Sequence, residues 1–328
     1  MNDSFELAQP APLSSTRFGL TLRQRRLLLK IAFFTLFVVA PPLDIFRFDL
    51  EKNNLILFGQ DWTLGFPEYH LGLISLGHLM WNLFWKAFLP VLGVGALLIY
   101  TAWRWGRLYC GWLCPHFSVV ETVNALMNRA SGKPTLWEKN PLPRELPDGS
   151  LRPRNRWYWI PTFIAIFGFA FLWAVSFITY LLPPQEIYHN LFTGQLTPNQ
   201  LRFIVAVTVV LTIEFTFARH LFCRFGCAVG IFQSLAWMSN RKAMTIGFNR
   251  TQAADCQDCN NACDNACPAR LKPRTLKRKM FTCTQCAECI VACTQVEARK
   301  GKPGLIQWVE GSCAQHKIDG RSNDPACF

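Results

Sequence analysis

Fourteen cysteines carry the chemistry of this 328-residue chain, and their spacing separates them into groups. None precedes Cys110, and ten of the 14 lie in the last 73 residues. Residues 256–268 read CQDCNNACDNACP and residues 283–293 read CTQCAECIVAC. The second run is C-x2-C-x2-C-x3-C. That is the bacterial iron–sulfur spacing, in which three close thiolates hold one cluster and the fourth reaches to the other. The implied sets are crossed: Cys256, Cys259, Cys263 and Cys293 for one [4Fe–4S] cluster, and Cys283, Cys286, Cys289 and Cys267 for a second. The first run departs from the pattern, because Asn260, Asn261 and Ala262 separate Cys259 from Cys263 where two residues are usual. The extra residue would either only bulge the loop, shift the cluster's potential or leave one labile iron. Zinc also takes clustered thiolates, but eight cysteines in two such runs, with Pro268 after the fourth, favour clusters. Disulfides belong to oxidising compartments. Cys313 and Cys327 stand apart from both runs and are expected to be unliganded thiols.

The remaining four cysteines form two matched pairs. Cys110 and Cys114 lie in RLYCGWLCPH, and Cys223 and Cys227 lie in HLFCRFGCAV, both C-x3-C and each after an apolar stretch. We read an internal repeat of span, C-x3-C and amphipathic helix. Pro115 suits the first position of a helix, which would put Cys114 at a helix N-terminus, where the dipole lowers a thiol pKa. Brought together, the four thiols would make one redox or metal site. It could bind copper, iron or a further iron–sulfur centre, or cycle between dithiol and disulfide. Buried structural cysteine is the bland alternative. His78 and His220 could ligate haem or metal or touch a quinone, although a hydrogen-bonded interface role is commoner. Glu214 is an ionisable residue in an apolar run, a functional position by default, with an ion pair to Arg219 as its simplest explanation.

These groups need elements to hold them. The chain is 51% hydrophobic and only 17% charged, with a formal charge of +13. This excludes a disordered chain, a collagen-like fibre and a small disulfide-stapled domain. Four apolar stretches approach the ~20 residues that cross a bilayer: 27–46, one within 69–105, 157–182 and 201–218. In the second, Lys86 interrupts the run, so 86–105 is expected to span and 69–85 to be re-entrant or interfacial. Lys and Arg number 5 in residues 1–30, 9 in 103–157 and 16 from 219 onward, against 2 in 41–68 and 1 in 183–202. Cytoplasmic segments carry the positive excess, so both termini are expected inside. The basic charge is then a matter of orientation, and no nucleic-acid partner is expected. No cleavable leader is expected, and residues 131–156, with five prolines, should form no regular element. The expected fold is mainly α: a four-span helical membrane domain (27–240) with two C-x3-C motifs, a cytoplasmic tail (1–26), a cytoplasmic α+β dicluster domain of bacterial ferredoxin type (250–310), and a C-terminal tail (311–328).

The combination resembles the FixG/RdxA/CcoG membrane polyferredoxins, cytochrome oxidase accessory proteins grouped with NapH- and NosR-type proteins. The resemblance rests on RLYCGWLCP (107–115), RHLFCRFGC (219–227), the eight-cysteine region 256–293 and CTQVEARKGKPGLIQW (293–308), and covers about residues 20–310. Ala228 stands where the family's second membrane motif usually has proline. The resemblance implies electron transfer at the bacterial cytoplasmic (inner) membrane. It implies reduction of Cu(II) to Cu(I) for assembly of haem–copper oxidases, with copper and oxidase-assembly partners. For NapH-like members it implies passage of quinol electrons into a respiratory chain. The electron donor would be a quinol or a cytoplasmic reductant. A redox sensor or assembly scaffold is the remaining class.

Overall fold

The computed structural model describes residues 21–52, 54–257, 259–319 and 327. Most of the expected N-terminal tail, and part of the C-terminal one, lies outside these residues. Among them, three helices are long and apolar enough to cross a bilayer: Leu76–Trp105, Arg156–Thr179 and Pro198–Ala218. The first expected span, 27–46, forms a helix over Leu22–Val39, started by a Thr21/Gln24 capping box and followed by Pro41 and Pro42. A proline lacks the N–H that would continue the ladder. Arg23, Arg25, Arg26 and Lys30 fall in this helix, so it lies outside the set of three by composition.

The second stretch differs from the expectation. Residues 76–85 are not a helix separate from 86–105. One helix runs from Leu76 through Trp105, with a π turn at Phe84–Phe88. The π turn absorbs one residue without breaking the ladder. It also accommodates Lys86, whose Nζ donates to Thr63 O at 3.2 Å while Trp62 Nε1 donates to Lys86 O at 3.0 Å.

Helices Arg156–Thr179 and Pro198–Ala218 pack along each other, with Ala174, Ile178 and Ile204 buried between them. Pro115–Ser131 packs Val119, Val120 and Val123 against Ile166, Ala170 and Phe215. Leu89–Trp105 packs on Ala228–Ser239. The cation-poor loop 41–68 lies beside the end of Arg156–Thr179 that leads into the other, 183–202. There, residues 41–68 form an antiparallel meander, Phe46–Asp49, Asn54–Leu57 and Gln60–Trp62. Its Phe48 and Leu50 amides donate to Tyr180 O and Leu181 O at 2.9 and 3.0 Å.

At the other end, Thr245–Phe248 pairs antiparallel with Ile306–Val309, Thr245 opposite Val309. This ladder closes the cysteine-rich segment, within which lie helices Ala262–Ala266 and Glu288–Ala298. Residues 131–156 carry only an isolated bridge, Glu145 to Leu151. They form a strap whose Glu138 pairs with Arg270 and whose Glu145 pairs with Arg299, tying the helices to the cysteine-rich region. Cys313 and Cys327 are not free thiols: they form a disulfide, and Gln307 Nε2 holds Cys327 O at 2.8 Å beside the closing strand. A 14-residue separation hid this proximity from the spacing of the cysteine runs.

Candidate metal centres and the membrane-edge thiols

The loop after Cys283 turns tightly because Gln285 (φ 52°) and Ala287 (φ 64°) are left-handed, and Ala287 caps the helix Glu288–Ala298 that carries Cys289 and Cys293. One cavity is lined by Cys267, Cys283, Cys286 and Cys289 together with Thr284 and the apolar groups of Ile246, Leu271 and Met280. Four thiols from two chain segments thus face a single apolar space, which fits the crossed set expected for one [4Fe–4S] cluster. For the other set, Cys256 lies within electrostatic reach of Cys259, and Cys293 within reach of both Cys256 and Cys263. The extra residue in this loop is taken up by Asn260 (φ 51°) and Asn261 (φ 54°), consecutive left-handed residues. Asparagine tolerates that region better than most side chains.

Burial governs these thiols, pushing Cys267 and Cys283 up to about 12 and Cys293 up to about 11. Loading a metal cluster therefore has to displace protons. Two backbone amides oppose burial: Leu271 N–H donates to Cys267 Sγ and Leu305 N–H to Cys293 Sγ, both at 3.3 Å. Such bonds orient the sulfur and tune a cluster's potential. Among the described residues, no three His, Cys, Asp or Glu side chains close on one point as a single ion requires.

The two C-x3-C pairs converge, as the repeat predicts. Cys110 and Cys227 lie within electrostatic reach of one another and of Cys114, and Cys223 within reach of Cys110 and Cys114. Side chains that spacing did not single out complete the site. Arg107, 1% exposed, donates from Nη2 to Cys223 O at 2.6 Å and lies 3.9 Å from Cys110 Sγ, so it bridges the two halves. Gly230 leaves room for that guanidinium. Gln233 Oε1 lies 3.5 Å from Cys110 Sγ. His116 places Nδ1 3.6 Å from Cys223 Sγ and Nε2 3.0 Å from Glu214 Oε2.

Two expectations are corrected here. Glu214 pairs with His116. Arg219 instead donates to Phe215 O, Asn124 Oδ1 and Pro134 O, because its left-handed backbone (φ 46°) turns the chain at the end of the span. Cys114 does sit at the start of Pro115–Ser131. Yet burial outweighs the pull of the Phe117 and His116 amides, and its thiol rises to about 11.

Of the two histidines, His78 is exposed on Leu76–Trp105, while His220 is buried with its ring edge against Phe117 and Nε2 without a partner. Burial holds the His220 imidazole down to about 4, below its ordinary 6.5. A depressed base favours the fold while neutral, so stability is fully present above pH 6.5 and falls as pH drops toward about 4. The loss amounts to about 3 kcal/mol. Unfolding by denaturant at pH 6.5 and 4.5 should show this decline, and His220→Gln should flatten it.

The first C-x3-C motif and the loop after Cys283 touch directly. Gly111, next to Cys110, lies so close to Thr284 O that any Cβ would overlap it, and Cys286 Cα would stand 3.4 Å away. Trp112 Nε1 donates to Gln285 O at 3.0 Å. Arg26 donates from Nε to Gly111 O at 2.8 Å and pairs with Glu288 at 2.7 Å.

Fold and donor set together describe a chain with ferredoxin-type iron–sulfur segments beside apolar helices suited to a bilayer. Comparison with known families agrees. A family described as "4Fe-4S binding domain" matches residues 87–134 and again 199–243, each holding one C-x3-C pair. A family described as "4Fe-4S dicluster domain" matches 236–311. The Escherichia coli (strain K12) protein named "Putative electron transport protein YccM" is 26% identical over 202 residues, 57% of this chain and 48% of that protein. The chain thus spans about half the length of this relative. No solved structure matches it.

Proposed function

We propose that this chain is a membrane-bound iron–sulfur electron-transfer protein that delivers single electrons to the Cys110/Cys114/Cys223/Cys227 thiols, where Cu(II) is reduced to Cu(I) for oxidase assembly. The observation that carries the reading is the contact of Gly111 with Thr284, which puts the first C-x3-C motif against the loop of Cys283 and Cys286. Two [4Fe–4S] clusters, held by the crossed cysteine sets, would supply one-electron storage. The protein's own residues do the rest. Arg107 locks the two C-x3-C halves together, Gln233 and His116 fix the sulfurs of Cys110 and Cys223, and Glu214 holds the His116 ring. Cuprous ion prefers soft thiolate ligands. In the proposed topology Leu22–Val39 is the fourth membrane element, and the cation-poor loops face away from the cytoplasm.

A second reading has its own observation. The 4Fe–4S binding family covers both C-x3-C pairs, so these thiols would instead ligate a further iron–sulfur centre. One set of measurements separates the two: Cu(II) reduction by the chemically reduced protein, and its iron content, before and after changing all four cysteines to serine. The copper reading expects unchanged iron and Cu(I) formation reduced at least tenfold. Loss of iron would favour the second reading. Unchanged iron with unchanged Cu(I) formation would sink both.

A further inference from the structure

The strap 131–156 closes a large basic cleft that the proposed electron-transfer function does not use. The cleft opens between Leu22–Val39, Pro115–Ser131, the strap and the cysteine-rich region, with Arg23, Arg152 and Cys267 among its walls. Arg152 Nη1 is buried there without a hydrogen-bond partner. The charged groups that act on Arg152 are all cations: Arg154, Arg129 and Arg23. Burial and these neighbours push its pKa below the ordinary arginine value. Buried guanidinium N–H groups without acceptors are costly, and an uncompensated cationic group calls for an anion.

The carboxylates in the cleft wall are otherwise engaged. Glu121 is paired with Arg26 and Lys30, Glu288 with Arg26, and Asp148 accepts from Ser150 with Arg299 nearby. Arg129 lies 5.7 Å over the Tyr158 ring, at the entrance to the Arg156–Thr179 helix. The cationic cluster therefore sits at the level where that apolar helix begins.

The cleft does not end in polar surface. Through the shared wall residues Leu27, Lys30 and Thr122 it adjoins a second groove, lined by Ile31, Phe34, Val119 and Phe169. Phe169 lies 13 residues along the helix from Arg156, about 20 Å at helical rise. The groove thus runs from the cationic cluster into the apolar belt. A free phosphate compound would satisfy the arginines and leave this groove unused. A molecule with a phosphate at one end and a hydrocarbon tail would fill both.

We propose that the cleft binds an anionic phospholipid, its phosphate held by Arg23 and Arg152 and an acyl chain laid along Leu27, Ile31, Phe34 and Phe169. Basic pockets beside membrane helices bind lipid head groups by this logic. The site has a structural consequence. Because Cys267 and Pro268 form the facing wall, an occupied cleft joins strap, bilayer and cluster region.

The test uses the full chain in nanodiscs of phosphatidylcholine with an equal part of phosphatidylglycerol, reading co-purified lipid by mass spectrometry. We expect at least ten phosphatidylglycerol molecules to be retained for each phosphatidylcholine. The preference should be lost in R23Q/R152Q and kept in K52Q, which removes an exposed cation at the opposite end. Ile31→Trp, which fills the groove and leaves the cations, should lower retention without altering the arginines. Equal retention of both lipids by the unaltered chain would overturn the proposal, and needs no variant. So would a preference that survives R23Q/R152Q. Protection of the chain against thermal unfolding by inorganic phosphate, with no effect of phosphatidylglycerol, would assign the site to a free anion and overturn the lipid.

Discussion

Cys267→Ala should remove half of the iron and acid-labile sulfide and leave the other half intact. The expectation follows from the crossed arrangement. Cys267 closes the run CQDCNNACDNACP in sequence, yet it lines the cavity of Cys283, Cys286 and Cys289. Changing Cys267, Cys283, Cys286 or Cys289 should therefore give one spectroscopic phenotype, and changing Cys256, Cys259, Cys263 or Cys293 the other. An uncrossed arrangement predicts the opposite grouping for Cys267 and Cys293 alone, so these two variants decide it. Electron paramagnetic resonance of the reduced variants reads the result, because each keeps one cluster as an internal reference. The coupling between paired clusters should vanish in both. If Cys267→Ala instead loses the signal lost by Cys256→Ala, the crossed sets are wrong.

The second large effect is expected at Gly111. No Cβ fits there, because the obstacle is backbone, Thr284 O, and not the end of a flexible side chain. Gly111→Ala must therefore separate the C-x3-C helix from the cluster loop, straining the Trp112–Gln285 and Arg26–Gly111 hydrogen bonds. Overpacking of this kind costs about 1–3 kcal/mol. The functional loss should exceed the stability loss. Both clusters should assemble, with normal iron content, while Cu(II) reduction falls at least tenfold. Gly93→Ala, where a Cβ meets open space, should change neither. Normal reduction in a folded Gly111→Ala protein would show that the contact does not serve electron delivery.

The ferredoxin-type segment was legible because its cysteine spacing is local, and the family described as "4Fe-4S dicluster domain" matches it over residues 236–311. The C-x3-C repeat was legible for the same reason, and the structure brings its halves together. What completes that site depends on long-range contacts with no periodic signature. His116 meets Glu214 across 98 residues and Cys223 across 107, and the Arg107 bridge to Cys223 spans 116. Sequence proximity pointed Glu214 to Arg219, but the turn at Arg219 sends its side chain elsewhere. The helix-dipole argument for Cys114 had the right sign for its own contribution and lost to burial, which spacing does not reveal. Lys86 looked like an interruption because a π turn and a carbonyl partner at Thr63 cannot be seen in composition. Gly111 carried no signal of its own, since its lack of a side chain matters only against Thr284.

The eight cysteines between Cys256 and Cys293 are proposed to hold two [4Fe–4S] clusters. Metal and sulfide analysis of the anaerobically purified chain, with electron paramagnetic resonance after reduction, tests this most directly. Iron and acid-labile sulfide are expected in equal amounts, with two interacting [4Fe–4S] signals. Stoichiometric zinc, without labile sulfide, would contradict it.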